Sequence, residues 1–148
     1  MSQVQFHFNV PDRLTYACRV VRKAFSVKQK IAVVGPQELL TQLGQRLWEM
    51  DPTDFLPHLL LKESQPVPSH LAATPIWLVE PKEWSSHIAQ QFPAVINLLP
   101  LAIEKAQCPP KIIEIVCLED EDRRLARQRW KQYADWGFAI EKYEVGSA

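Results

Sequence analysis

The residues with the clearest capacity for chemistry lie in the stretch 119–137, EDEDRRLARQRWKQYADWG. On a helix, Arg123, Arg127 and Lys131 form one line of positive charge, because residues four positions apart share a face. Arg127 has no acidic residue three or four positions away, and Trp130 is its aromatic neighbour at that spacing. An unpaired guanidinium beside an aromatic ring is suited to binding a carboxylate of another molecule. A solvated charged face has the same pattern, so both interpretations stand at this point.

The same stretch has the signals of one helix from its start to its end. The four acids at 119–122 are favoured at the positive end of a helix dipole, and Gly137 suits the left-handed position past a helix end. The predicted buried stripe consists of Leu118, Leu125, Ala126, Tyr133 and Trp136. The expected acid–base pairs are Glu119 with Arg123, Asp120 with Arg124, and Lys131 with Asp135.

A second candidate site is an apolar corner made of Trp48, Phe55, Leu56 and Pro57. The tryptophan is near the end of a predicted helix, and the other three residues lie in the connection that follows. Such residues either pack as core beneath a loop or form a partly exposed site for a partner chain. The residues alone leave both interpretations open.

The sequence lacks the motifs of common catalytic and cofactor sites. None of its four glycines stands in a dinucleotide- or phosphate-binding loop, and the Gly35-Pro36 turn is a poor anion site. The four histidines are scattered without metal-type spacing, and no nucleophile elbow or Cys–His arrangement is present. We therefore predict no catalytic residue, no cofactor and no metal ion. An enzyme whose catalytic residues lie far apart in the sequence is the weakest alternative.

Composition points to an intracellular protein that is not a dedicated nucleic-acid binder. The 17 basic and 17 acidic residues balance, whereas dedicated binders usually have a basic excess. The first residues lack the pattern of a signal peptide, and no apolar run reaches the roughly 20 residues that span a bilayer. Three cysteines without metal-type spacing fit a reducing compartment. We predict a cytoplasmic protein without membrane contact.

The hydrophobic pattern predicts one α/β domain over residues 1–148 with a mostly parallel sheet. Strands are predicted at 4–10, 30–34, 75–79, 94–98, 111–117 and 138–145. Helices are predicted at 14–26, 37–50 and 119–137, with a short one at 100–106; residues 53–61 are irregular and 62–73 form a loop. Alternation places Val4, Phe6, Phe8 and Val10 on one covered face of the first strand.

Basic residues on two predicted helices favour an alternative function, direct binding of single-stranded nucleic acid. One group is on the first helix, at Arg19, Arg22 and Lys23. The other is the cationic line of the long helix. The charge balance of the whole chain argues against strong direct binding of DNA.

Two segments together resemble the chi subunit of bacterial DNA polymerase III. LWEMDPTDFLPHLL, around residue 50, is similar to that family's Leu-Trp segment followed by Phe-x-Pro-His. LEDEDRRLARQRWKQYADWGF, around residue 130, is similar to its acidic start followed by Leu-Ala-Arg, Arg-aromatic-Lys, Tyr and Gly-Phe. The two motifs occur in the family's order and at its separation, and they cover about a quarter of the chain.

The resemblance implies a Rossmann-like three-layer fold without a nucleotide-binding glycine loop, and a non-catalytic adaptor of the clamp-loader assembly. Chi proteins bind the psi subunit and the acidic, Phe-ending C-terminal tail of the single-stranded-DNA-binding protein. By motif position the tail site falls on Arg123, Arg127, Trp130 and Lys131. The apolar corner (Trp48, Phe55, Leu56, Pro57) matches the region that the family uses for psi or a DinG-type helicase. Arg at 123 and Trp at 130 keep the charge and aromatic type of the Lys and Tyr found in other members.

Overall fold

The sheet of this protein is parallel throughout the residues described by the computed structural model, which are 2–49, 58–61 and 75–145. Its strands are β1 (Gln3–Val10), β2 (Ile31–Val34), β3 (His58–Leu61), β4 (Ile76–Val79), β5 (Ala94–Asn97), β6 (Lys111–Cys117) and β7 (Ala139–Glu144). They lie in the order β3-β4-β2-β5-β6-β1-β7. Each neighbouring pair is parallel. The prediction of an α/β fold with a mostly parallel sheet is confirmed.

Helices cover both faces of this sheet. They are α1 (Arg13–Ser26), α2 (Gln37–Glu49), α3 (Ser86–Ala89) and α4 (Asp120–Asp135). One core cluster joins the sheet to α1 and α2, through residues such as Val21 and Leu43. The other joins the opposite face to α3 and α4, through residues such as Ala89 and Tyr133. The result is the three-layer, Rossmann-like arrangement that the resemblance implied.

The strands β2 and β4 are apolar at every position because both faces of the sheet are covered there. In β2, Ile31 and Val33 belong to the core on the α1 side, whereas Ala32 and Val34 belong to the core on the α4 side. Gly35 follows this strand where space is short, since a Cβ there would lie 2.9 Å from the Leu98 Cβ. Close packing therefore explains this glycine without a bound phosphate.

The end of β1 departs from the predicted alternation. The pairing of β1 with β6 shifts between His7 and Val10, and Asn9 has a φ of 62°. This left-handed residue, a conformation that asparagine tolerates better than most residues, rotates the chain. Val10 consequently joins the α1-side core, whereas Phe6 stays on the α4 side. The prediction that all four apolar residues of this strand share one face is wrong for Val10.

Several other boundaries differ from the sequence prediction. Residues 100–106 do not form a helix; a 3-10 turn at Lys105–Gln107 takes its place. His58–Leu61, predicted as irregular, pairs with β4 as an edge strand. The single-turn helix α3 was not predicted, because four residues carry too short a hydrophobic pattern. The predicted loop at 62–73 lies outside the described residues.

Candidate functional site

The helix α4 is fixed at both ends by contacts that its sequence supplies. At its start, the Asp122 carboxylate accepts a hydrogen bond from the Cys117 N–H at 2.7 Å and pairs with Arg13. Burial opposes the charge on this carboxylate, but those two donors lower the pKa of Asp122 below its usual value. At the other end, Gly137 has a φ of 81°, and its N–H donates to the Ala134 carbonyl. The predicted start and end of the helix are confirmed.

The buried face of α4 contains a charged residue that the sequence prediction missed. Arg129 is 4% exposed, and its Nε donates to Glu114 Oε1 of β6 at 2.8 Å. The other carboxylate oxygen accepts from Tyr133 Oη at 2.6 Å and Asn97 Nδ2 at 2.8 Å. Because all these partners donate, they suit an ionised carboxylate. Arg129 joins Ala126 and Tyr133 as the buried side of the helix, while Leu118, predicted for that side, is exposed.

The Glu114 carboxylate shows both the effect of burial on its pKa and the interactions that oppose that effect. Burial raises the pKa of Glu114 above its usual value, and the Arg129 charge and the neutral donors act against that rise. The Tyr133 hydroxyl also accepts the Ile103 N–H at 3.1 Å, so the network extends to the loop after β5. These bonds attach α4 to the sheet and set which residues its outer face presents.

The outer face of α4 borders a pocket of about 690 Å³ between this helix, β1 and β7. We call it the α4 pocket; its lining is Phe6, Phe8, Asn9, Val116, Arg123, Ala126, Arg127, Trp130 and Lys142. Of the four predicted site residues, Arg123, Arg127 and Trp130 come together here. Lys131 is exposed but does not line the pocket.

The floor of the α4 pocket is aromatic. The Trp130 ring lies against the Phe6 ring, with centroids 4.9 Å apart and an interplanar angle of 41°. Phe6 is buried, while Trp130 and Phe8 are half-buried and therefore still accessible from the pocket. This surface is able to receive an apolar side chain from another molecule.

The rim of the pocket is cationic. Within the described part of the chain, Arg127 is exposed and has neither a hydrogen bond nor an ion pair, as its sequence neighbours predicted. Lys142 lies over the Trp130 ring at 5.7 Å from its centroid. Arg123 donates to Asn9 Oδ1 at 3.1 Å, and no acidic residue lines the pocket. An anion entering it meets three positive side chains.

The predicted acid–base pairs of α4 do not form. Arg123 contacts Asn9 in place of Glu119, and Arg124 pairs with Glu121 at 2.6 Å in place of Asp120. Among the described residues, Lys131 has no ion pair, including with Asp135. A helix leaves several partners within reach, so tertiary contacts such as the one from β1 decide the choice.

The sequence prediction also missed the pocket residues that β1 and β7 contribute. The alternation of β1 did place Phe6 and Phe8 on one covered face, but it did not show that the face meets α4. Lys142 reaches Trp130 because β7 pairs with β1 in the register Phe6 with Lys142. Strand pairing of this kind has no local sequence signal.

The second predicted site cannot be placed in the same way. Trp48 lies in α2, but its side chain is outside the described residues, as are Phe55, Leu56 and Pro57.

Within the described residues, no group of three or more His, Cys, Asp or Glu could hold a metal ion. No helix in that same part of the chain is long and apolar enough to cross a bilayer.

Comparison with known proteins agrees with the sequence motifs and the fold. The family model of the DNA polymerase III chi subunit, HolC, matches residues 1–141. The chain is 25% identical over 131 residues to DNA polymerase III subunit chi of Haemophilus influenzae, covering 88% of this chain and 85% of the relative.

A solved structure with a similar fold is the UvsW helicase from bacteriophage T4, with a TM-score of 0.60 and 15% identity. The similarity covers 97% of this chain but only 54% of the helicase chain, and at this identity it shows the fold alone. The family match, in contrast, extends over nearly the whole sequence and includes every residue that lines the α4 pocket except Lys142. The chain belongs to the chi subunit family of DNA polymerase III, an accessory subunit of the polymerase complex in DNA replication.

Proposed function

We propose that this protein is a non-catalytic adaptor that links the polymerase III clamp-loader assembly, through a psi-like subunit, to the acidic C-terminal tail of the single-stranded-DNA-binding protein. The tail binds in the α4 pocket. The observation that supports this proposal is the position of Arg127, a cation without a described partner at the rim of an aromatic pocket. A tail that ends in a phenylalanine carries the two complementary groups, a carboxylate and an apolar ring.

The expected affinity follows from those two groups. A hydrogen bond to a charged group contributes roughly 1.5–3 kcal/mol. Burial of the terminal ring against Phe6 and Trp130 contributes about 1.5–3 kcal/mol. Ordering a flexible tail opposes both gains. The contact is therefore weak and salt-sensitive, and it is strengthened where one oligomer offers several tails.

Titration calorimetry with a synthetic acidic peptide ending in phenylalanine tests the tail site. Arg127→Ala is expected to remove most of the binding, because it deletes the unpaired cation at the rim. Arg124→Ala is the matched control, since Arg124 is exposed on the same helix but pairs with Glu121 and does not line the pocket. Equal affinity of the Arg127 variant and the wild type would refute the proposed site.

The apolar corner of Trp48, Phe55, Leu56 and Pro57 is proposed as the site for psi or a DinG-type helicase. This assignment rests on the sequence motif. Phe55→Ala is expected to lose that partner in a pull-down while it keeps the tail peptide. A variant that unfolds, as judged by circular dichroism, would show that Phe55 belongs to the core.

A further inference from the structure

The sheet has an open polar surface on the side opposite the α4 pocket. On the α1 side of β1, Gln3, Gln5 and His7 are only half-buried. On the neighbouring edge strand β7, Glu141 and Tyr143 share this side and are exposed. A parallel α/β sheet normally covers both faces with apolar contacts, so this polar, accessible region is unusual.

Three rings meet on this surface, and one of them is well exposed. The His7 ring stacks on the Tyr143 ring, with centroids 5.0 Å apart and an interplanar angle of 29°. It also lies 5.4 Å from the Tyr16 ring, whose hydroxyl is hydrogen-bonded to the imidazole. Tyr143 is 42% exposed, and its hydroxyl donates to the Glu141 carboxylate at 2.6 Å. We call these three residues the aromatic platform.

A groove of about 270 Å³ beside α1 adjoins the platform and is lined by positive side chains. Arg19, Lys23 and Lys111 line this groove together with Gln5, His7 and Tyr16, and no acidic residue lines it. Within the described residues these three cations have no hydrogen bond or ion pair from their side chains. Burial, followed by the charges of Lys111 and Lys23, lowers the pKa of His7 to about 4. The three cations of the groove are thus available to an anionic ligand.

We propose that the aromatic platform and this groove bind single-stranded DNA, with a base stacked on Tyr143 and phosphates on Arg19, Lys23 and Lys111. Stacking on an aromatic face next to a cationic groove is how proteins hold single strands without reading their sequence. A single strand offers both a base and a phosphate at every nucleotide, whereas an acidic peptide without aromatic residues would use the cations alone, which is why a nucleic acid fits the surface better. Only three phosphate contacts are available, so the binding is weak, in keeping with the balanced charge of the chain.

Fluorescence anisotropy with a labelled oligothymidine of about 15 nucleotides tests this proposal. Three phosphate contacts on a single strand predict a log–log salt slope of about −2, which is an affinity loss of about 20-fold between roughly 50 and 200 mM salt. The double variant Lys23→Gln/Lys111→Gln is expected to reduce the slope to about −0.7. Tyr143→Ala is expected to weaken binding about tenfold, whereas Tyr143→Phe retains the ring and the affinity.

Two control variants test whether DNA binding depends on this surface and not on positive charges elsewhere in the protein. Lys105→Gln removes an exposed charge that lines neither pocket, and Arg127→Ala removes the proposed tail contact on the other side of the sheet. Both are expected to bind the oligonucleotide like the wild type. Absence of binding at low salt, or an unchanged slope in the double lysine variant, would overturn the proposal. So would a loss of acidic-peptide binding, without a loss of DNA binding, in the groove variants.

Discussion

Arg127 and Arg129 are two positions apart in α4 and have opposite surroundings. Arg129 is buried against Glu114, and its guanidinium also donates to the Pro100 carbonyl at 3.2 Å. Arg127 is exposed at the rim of the α4 pocket and has no partner in the described part of the chain. The comparison teaches that the same side chain serves the fold where its charge is matched internally, and is available to a ligand where it is not.

The largest expected effect comes from breaking the buried pair. Arg129→Met leaves the Glu114 carboxylate buried without its counter-charge, and we expect a loss of about 3–5 kcal/mol in the free energy of unfolding. Urea denaturation followed by circular dichroism measures this. Arg127→Met is the matched control, and we expect it to stay within about 0.5 kcal/mol of the wild type because its site is exposed.

The double variant Arg129→Met/Glu114→Gln completes that test. Neutralising the carboxylate removes the uncompensated charge, so we expect much of the lost stability to return. A double variant as unstable as Arg129→Met alone would show that the arginine acts through packing and not through its charge.

A smaller effect is expected from removing one neutral donor of the same network. Tyr133→Phe removes the hydrogen bond that the hydroxyl donates to Glu114, and it leaves the Ile103 N–H without its acceptor. We expect a loss of about 2 kcal/mol, the usual cost of unsatisfied buried polar groups. Thermal unfolding measures the change. A variant as stable as the wild type would mean that Arg129 and Asn97 compensate the carboxylate without the tyrosine.

The smallest expected effect comes from His7, a half-buried side chain whose charge, once it is protonated, has the same sign as that of its neighbours. His7 titrates near 6.5 in an unfolded chain, but its pKa falls to about 4 in the folded protein because of burial and two lysines. The unfolded chain therefore binds more protons between these values, and stability falls as the pH drops. After allowance for solvent screening, we expect a loss of about 1 kcal/mol between pH 7 and pH 5.

Urea titrations at the two pH values check this, with His7→Gln as the variant that lacks the titrating group. The wild type is expected to lose more stability than the variant over this interval. Equal pH dependence of the two proteins would show that other groups account for the loss.

The sequence predicted the exposed side of α4 better than its buried side, for a physical reason. The isolation of Arg127 depends on residues three and four positions away, all of which are visible in the sequence. Arg129 looks equally polar, but its partner Glu114 lies on β6 and meets it only after the sheet has formed. A charged residue in the middle of the apolar run KIIEIVC was the available signal, because such a residue requires a buried partner.

The fold could be predicted from the hydrophobic pattern. The pocket could not, because it depends on the order of the strands in the sheet. Apolar runs predicted the strands β2 and β6, and the observed bounds agree within a residue or two. The side of the sheet that α4 would cover, and the neighbour that β7 would choose, depend on long-range pairing. The contributions of Asn9 and Lys142 to the pocket therefore became visible only in the structure.

The position of β7 at the edge of the sheet has a consequence for how the protein behaves at high concentration. Its outer backbone groups face no further strand among the described residues, and such an edge is a template for adding a strand from another copy. Glu141, Lys142 and Glu144 place like charges opposite each other when two such edges approach in parallel, which discourages pairing between two copies. Replacing Lys142 by an apolar residue would therefore weaken the pocket and also make the chain prone to self-association.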